Sequence, residues 1–182
     1  MVTVSSARAV FSFPNPVNEL AARSVAAFVA VIALAAIVAH LPWLSAVLAL
    51  GFLARAASGP TLSPLGQLAT RVIAPRLGHA KLVAGPPKRF AQAMGATLTV
   101  TATIAHFGLG LTAVTYLLLG LVVIAATLES VFAFCIGCRI FALLIRLGVI
   151  PSDVCAACAD IWSPAAVSLR SESVAGPGPG GS

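Results

Sequence analysis

Two uncharged runs limit what this chain can fold into. From Ser24 to Ala54 there is no Asp, Glu, Lys or Arg in 31 residues, and from Ala91 to Leu128 there is none in 38. One straight helix over the first run would measure about 46 Å, against a hydrocarbon core of about 30 Å. Each run is therefore too long for one crossing, and each contains a break. "AHLPW" interrupts the first, where Pro42 removes an amide and restricts the residue before it. Trp43 beside it suits a membrane interface. "HFGLG", His106 to Gly110, interrupts the second. The expectation is an all-α, polytopic membrane protein with two helical hairpins and four spans: Leu20–His40, Trp43–Ala57, Phe90–Phe107 and Leu111–Phe134. The second span is short, so Arg55 is expected to snorkel to the interface.

Composition agrees with a lipid environment. Only 9% of residues are charged and 59% are hydrophobic, whereas a soluble domain carries about 25% charged residues. Mean hydropathy is +1.03. The net charge of +6 sits between the apolar runs, where it reads as a topology signal and as contact to anionic headgroups. No stretch interleaves aromatic and basic residues as a nucleic-acid platform does, so no nucleic-acid partner is expected.

The remaining segments fall into place around the spans. Residues 1–14 read as a flexible tail, 15–161 as the membrane domain with its cysteine segment, and 162–182, ending in "GPGPGGS", as a disordered tail. Asn15–Pro16 reads as a helix N-cap followed by a first-turn proline, with Glu19 favourable at the helix N-terminus. Within the connection from Arg55 to Arg89, "GQLATRVIAPRLG" reads as a short basic amphipathic helix on the membrane surface, with Leu68, Val72 and Ile73 to one side. Thr97, Thr99, Thr101 and Thr103 alternate, but an isolated strand cannot satisfy its backbone in lipid, so they are expected on a helix, bonding back to the preceding turn or across to a neighbour.

Charge then orients the spans. Arg8 and Arg23 precede the first. Arg55, Arg71, Arg76, Lys81, Lys88 and Arg89 follow the second. Arg139, Arg146 and Arg170 follow the fourth. All eleven lie on one side of a four-span arrangement, which the positive-inside rule makes cytoplasmic, with both termini there. A cleaved signal peptide is not expected, because no small-x-small site precedes polar sequence.

The chemistry is concentrated in "FCIGCRIFALLIRLGVIPSDVCAAC", which holds all four cysteines: Cys135, Cys138, Cys155 and Cys158. The two C-x-x-C pairs stand sixteen residues apart, a spacing compatible with a tetrathiolate zinc site. Gly137 would let the chain bend so that both sulfurs of the first pair face one point. Thiol redox or sulfur handling is the other reading. C-x-x-C on a helix puts both sulfurs on one face, and Cys155, after a Ser152 cap, would gain reactivity from a helix N-terminus. Packing alone is the bland alternative. Glu129 is the one acid between Ser24 and Ile150. It is a functional candidate by virtue of its setting, or a partner for Arg139. It would also line a small transporter together with the Thr-rich third span. His40 and His106 lie at the two outer turns, where an imidazole needs no ligand to explain it.

At "GFLARAASGPTLSPLGQLATRVIAPRLG", "PKRFAQAMG" and "FCIGCRIFALLIRLGVIPSDVCAACADI" the chain resembles a family of small bacterial membrane proteins, common in actinobacteria and catalogued as a domain of unknown function. The resemblance covers about Pro14 to Ile161, and "FCIGC" with "VCAAC" is its most specific part. It implies a place in the bacterial inner membrane. Members of that family are often encoded near thioredoxin-like and sulfurtransferase proteins, which implies a partner of that kind and favours thiol-disulfide or sulfur-transfer chemistry over metal. It supplies no established activity.

Overall fold

The structure, a computed structural model, describes residues 15–78 and 82–151. The chain enters through Val17–Asn18 (β1), which pairs antiparallel with Leu82–Val83 (β2), Val17 opposite Val83. Because these residues are extended, the first helix starts later than Asn15–Pro16 suggested. Helix α1 is Glu19–Val38, and its cap is Asn18, whose Oδ1 accepts the Leu20 N–H at 3.0 Å. Asn15 has another task. Its Oδ1 accepts the Gly85 N–H at 3.0 Å and so ties the entry of α1 to the start of a helix seventy residues away.

Helix α2, Leu44–Ser58, follows the Pro42 break and closes at Gly59, whose φ of 65° is one that glycine adopts freely. Ser63 caps α3, Pro64–Leu68, accepting the Gly66 N–H at 3.3 Å. The chain continues through a π-helical turn, Ala69–Ile73, into α4, Ala74–Leu77. Pro75 explains the wide turn. It has no N–H to offer one α-turn back and its ring crowds that carbonyl, so the helix takes in an extra residue and the Ala74 N–H reaches back to Ala69 O. The expected helix is interrupted by the π-turn, and its apolar side faces away from the bundle. Leu68, Val72 and Leu77 point outward, and the face laid on α1 consists of Gly66, Ala69 and Ala74. Small residues let two helix backbones approach closely.

Helix α5, Gly85–Phe107, begins at a proline pair, and α6, Thr112–Phe132, follows the Gly110 turn. Ala133 then adopts a left-handed conformation and α7, Ile136–Arg146, starts afresh. The fourth apolar segment thus ends at Phe132 rather than Phe134, and the first cysteine pair belongs to a separate helix.

The main packing pairs are not the sequence hairpins. α1 lies chiefly against α6, and α2 against α5. α5 also packs on α6, and α7 rests on α5. The interior combines a few large side chains, Val29, Leu48, Phe52 and Leu119 among them, with many small ones. Ala33, Ala36, Ser45, Ala102, Thr99 and Thr115 are fully buried, whereas Val31, Leu50 and Leu117 are about two-thirds exposed. Soluble proteins bury their large aliphatic residues in preference. The Thr hydroxyls behave as expected. Thr97, Thr99 and Thr103 each donate to a carbonyl one turn back, and Thr103 also reaches Ser45 Oγ on α2 at 3.2 Å. Among the described residues two helices, α1 and α6, are long and apolar enough to cross a membrane, and α2 is apolar but only 15 residues long.

Close approach of α5 and α2 depends on Gly95. A Cβ there would lie 2.6 Å from Phe52 Cδ1. Alanine favours a helix interior over glycine by about 0.5–1 kcal/mol, but overpacking costs about 1–3 kcal/mol. Gly95→Ala is therefore expected to lower the unfolding midpoint of the detergent-solubilised protein, and Phe52→Leu to restore part of the loss in the double variant.

Candidate functional site

The helix ends that carry charge converge at one end of the bundle, where α1 and α5 begin and α2 and α6 end. Arg23 on α1 donates from Nε and Nη2 to Ser130 O at 3.0 and 2.9 Å, and from Nη2 to Val131 O at 3.1 Å. It thereby satisfies carbonyls that the last turn of α6 leaves open. Arg89 on α5 donates from Nε to Ala56 O at 2.9 Å, near the end of α2.

Inside this ring of caps lies a desolvated ion pair. Lys88 Nζ on α5 meets Glu129 Oε1 on α6 at 2.6 Å, with side chains only 10% and 15% exposed. Glu129 therefore pairs with Lys88 and not with Arg139, whose guanidinium instead lies 5.2 Å from the Phe134 ring centroid. Arg55 does not snorkel. It turns inward, is 5% exposed, donates from Nε to Gln92 Oε1 at 2.9 Å, and packs over the Phe52 ring at 4.7 Å.

The first cysteine pair sits on top of this cluster. Cys135 is the N-cap of α7, and its Sγ accepts the Cys138 N–H at 3.4 Å. Cys135 is buried and Cys138 half-buried, both as free thiols. Gly137 does not bend the chain. It lies within the helix, where a Cβ would stand 2.6 Å from Ala91 Cα, so it allows α7 to press on α5. The two thiols differ in acidity. The hydrogen bond from the Cys138 side chain holds Cys135 below the ordinary thiol range, helped by the Lys88 ammonium and the Cys138 backbone N–H and opposed by burial and by Glu129. Donating that bond pushes the Cys138 thiol up, as do burial and the charge on Cys135. A helix N-terminus holding a stabilised thiolate is the arrangement expected of a nucleophilic cysteine.

Cys135 and Glu129 line a cavity of about 230 Å³ between α1, α2, α5 and α6, together with Arg55, Gln92, Phe52 and Met94. A second cavity of about 350 Å³ lies beside it, and Arg55 and Gln92 face both. Of the residues expected to act, Cys135, Cys138 and Glu129 are brought together here. Cys155 and Cys158 fall outside the described residues, as do the Ser152 cap and the terminal tails. Among the described residues no three His, Cys, Asp or Glu side chains gather as a metal set. His40 and His106 pack against aromatic rings, Tyr116 and Phe107. Lys88 and Gln92 belong to the site but were not singled out in the sequence, and Arg55 was expected only to snorkel. One signal was available: a lone acid at the end of an apolar run needs a cation at the same end, and Lys88 stands at the mouth of the preceding helix.

Residues 17–146 match the family described as Domain of unknown function (DUF4395). No curated protein and no solved structure matches the chain.

The acidity difference has a direct test. Cys135 is lowered, so its thiolate persists below the ordinary thiol range. The stability it contributes is present above that range and is lost as pH falls through the folded value. Cys138 is raised, so its contribution is present below the ordinary range and is lost as pH rises. Site-resolved alkylation with a small iodoacetamide across pH should modify Cys135 where Cys138 stays protonated. Cys138→Ala should move the Cys135 midpoint upward. Equal titration of both thiols in the ordinary range would contradict the assignment.

Proposed function

The chain belongs to the family Domain of unknown function (DUF4395), and from the site its fold builds we propose that it is a membrane partner in thiol-disulfide or sulfur-transfer chemistry. The reading is supported most by one observation: Cys135 caps a helix, accepts a hydrogen bond from Cys138, and lines a cavity beside the Lys88–Glu129 pair. All four bundle helices would cross the inner membrane of a bacterium, with both termini and the cysteine end in the cytoplasm. The outward Val, Leu and Ile side chains of the four helices support that placement. The natural partner would be a thioredoxin-like or sulfurtransferase protein.

The chemistry follows from the asymmetry of the pair. Cys135 thiolate attacks one sulfur of a substrate disulfide, forming a mixed disulfide and releasing the other half as a thiolate, which takes up a proton. Cys138 then gives up its proton and attacks Cys135 Sγ. This expels the second substrate thiolate, which is protonated, and leaves a Cys135–Cys138 disulfide. The dithiol loses two electrons and the substrate disulfide gains two. With a persulfide donor, Cys135 thiolate takes the terminal sulfur and the donor leaves as a thiolate. Cys155 and Cys158, as a dithiol, would reduce the Cys135–Cys138 disulfide by exchange and themselves become the disulfide, or would take the sulfur onward.

The test is peptide mass spectrometry on the full chain after exposure to oxidised glutathione or to a small persulfide. A Cys135–Cys138 disulfide or a Cys135 persulfide is expected, and in Cys138→Ser a mixed disulfide trapped on Cys135. Absence of any modification at Cys135 would remove the proposal. About one zinc per chain, lost on Cys155→Ser, would replace it with a tetrathiolate scaffold. Solute uptake that survives loss of all four cysteines would replace it with a transporter.

A further inference from the structure

Arg55 is a buried cation without a counter-charge in contact. Its partners are neutral: Gln92 Oε1 at 2.9 Å and Ser63 Oγ at 3.3 Å. Its Nη2 is buried and has no hydrogen-bond partner among the described residues. Glu129, the nearby acid, is engaged by Lys88 at 2.6 Å. An uncompensated charge in such a place is costly, and proteins pair or neutralise buried charges. The fold nevertheless makes room for this one. Gly51 leaves open the space beside Nη1, where a Cβ would stand 3.2 Å away, and Phe52 supports the guanidinium from below. These features describe a positioned group whose partner is a ligand.

The space for that partner adjoins it. The larger cavity, about 350 Å³, is lined by Arg55 and Lys88 together with the polar side chains of Asn18, Thr70 and Gln92. Its remaining wall, from Ala21, Val25 and Leu82 among others, is apolar. A guanidinium presents planar paired donors that match an oxyanion. The volume exceeds what a bare oxyanion fills, which leaves apolar wall for attached carbon.

The geometry points to a phosphate-type oxyanion site in this cavity, with Arg55 as its recognition residue. The oxyanion comes either from the headgroup of an anionic lipid or from a soluble phosphate. Cys135 lines the neighbouring cavity and not this one, so the site stands independently of the thiol chemistry.

Two ligand arms test it on the full chain, delipidated in a neutral detergent. In the first, inorganic phosphate is titrated at constant ionic strength while the unfolding midpoint is followed. In the second, native mass spectrometry reads lipid retained after exchange in phosphatidylglycerol or phosphatidylcholine vesicles. A saturable rise with phosphate assigns a soluble ligand, and selective retention of phosphatidylglycerol assigns a headgroup. In either case Arg55→Lys should weaken binding about tenfold or more, since a charge-assisted bond is worth about 1.5–3 kcal/mol. Gly51→Ala displaces the guanidinium without introducing a charge change and should also weaken binding, which covers the case in which an Arg55 variant does not fold. Cys135→Ala should bind as the parent does, so failure of the thiol proposal leaves this result intact. If neither phosphate nor phosphatidylglycerol binds the parent chain, or if binding is unchanged in both Arg55→Lys and Gly51→Ala, the site does not exist.

Discussion

The contact between Lys88 and Glu129 is the constraint on which the rest of the site depends. Both side chains are nearly withdrawn from water, and their 2.6 Å contact joins the first turn of α5 to the last turn of α6. Either charge alone in that place would be strongly unfavourable, so each requires the other. The pair fixes the depth at which α6 ends. The left-handed Ala133 and the N-cap Cys135 follow from that point, and the thiol arrives beside the same ammonium that helps to hold its proton off. The Arg23 and Arg89 caps do the same work at the rim, each donating to the carbonyls at a neighbouring helix end.

Small residues make this arrangement possible. Gly95 admits Phe52, Gly137 admits Ala91, and Ala69 with Ala74 allow the short π-interrupted segment to lie on α1. With much of the interior filled by Ala, Ser and Thr, many of the large aliphatic side chains lie on the outside. In water that exterior would be an extensive exposed apolar surface, the kind that associates or aggregates. In lipid it is the natural solvent face, and tight contacts between small residues supply the attraction between helices that the hydrophobic effect cannot supply there.

Much of the fold was legible because its signals are local. Uncharged runs, Pro42, the Gly110 turn and back-bonding threonines are readable from a few neighbouring residues, and the four apolar segments emerged close to their observed bounds. What was not legible depends on distant partners. Asn15 looked like a cap because Pro16 follows it. Its actual partner is Gly85, and β2 holds Val17–Asn18 extended, which moves the helix start to Glu19. Arg55 looked like a snorkelling residue because its helix is short, yet Gln92, Ser63 and the gap at Gly51 draw it inward. Glu129 stood out as the lone acid, but its choice of Lys88 over Arg139 is set by the packing of α5 on α6. Cys135 and Cys138 were recognisable by spacing. That α7 starts between them was not, and the Cys138 side-chain hydrogen bond to Cys135 across that start makes the two thiols unequal.

The account is tested most directly by a double-mutant cycle on Lys88 and Glu129, read by unfolding of the detergent-purified chain. Lys88→Met and Glu129→Gln should each cost about 3 kcal/mol or more, because each leaves the other charge buried and unpaired. The double variant should lose clearly less than the sum of the two. Small, additive losses would show that the pair does not hold the helices together, and the placement of Cys135 would then need another cause.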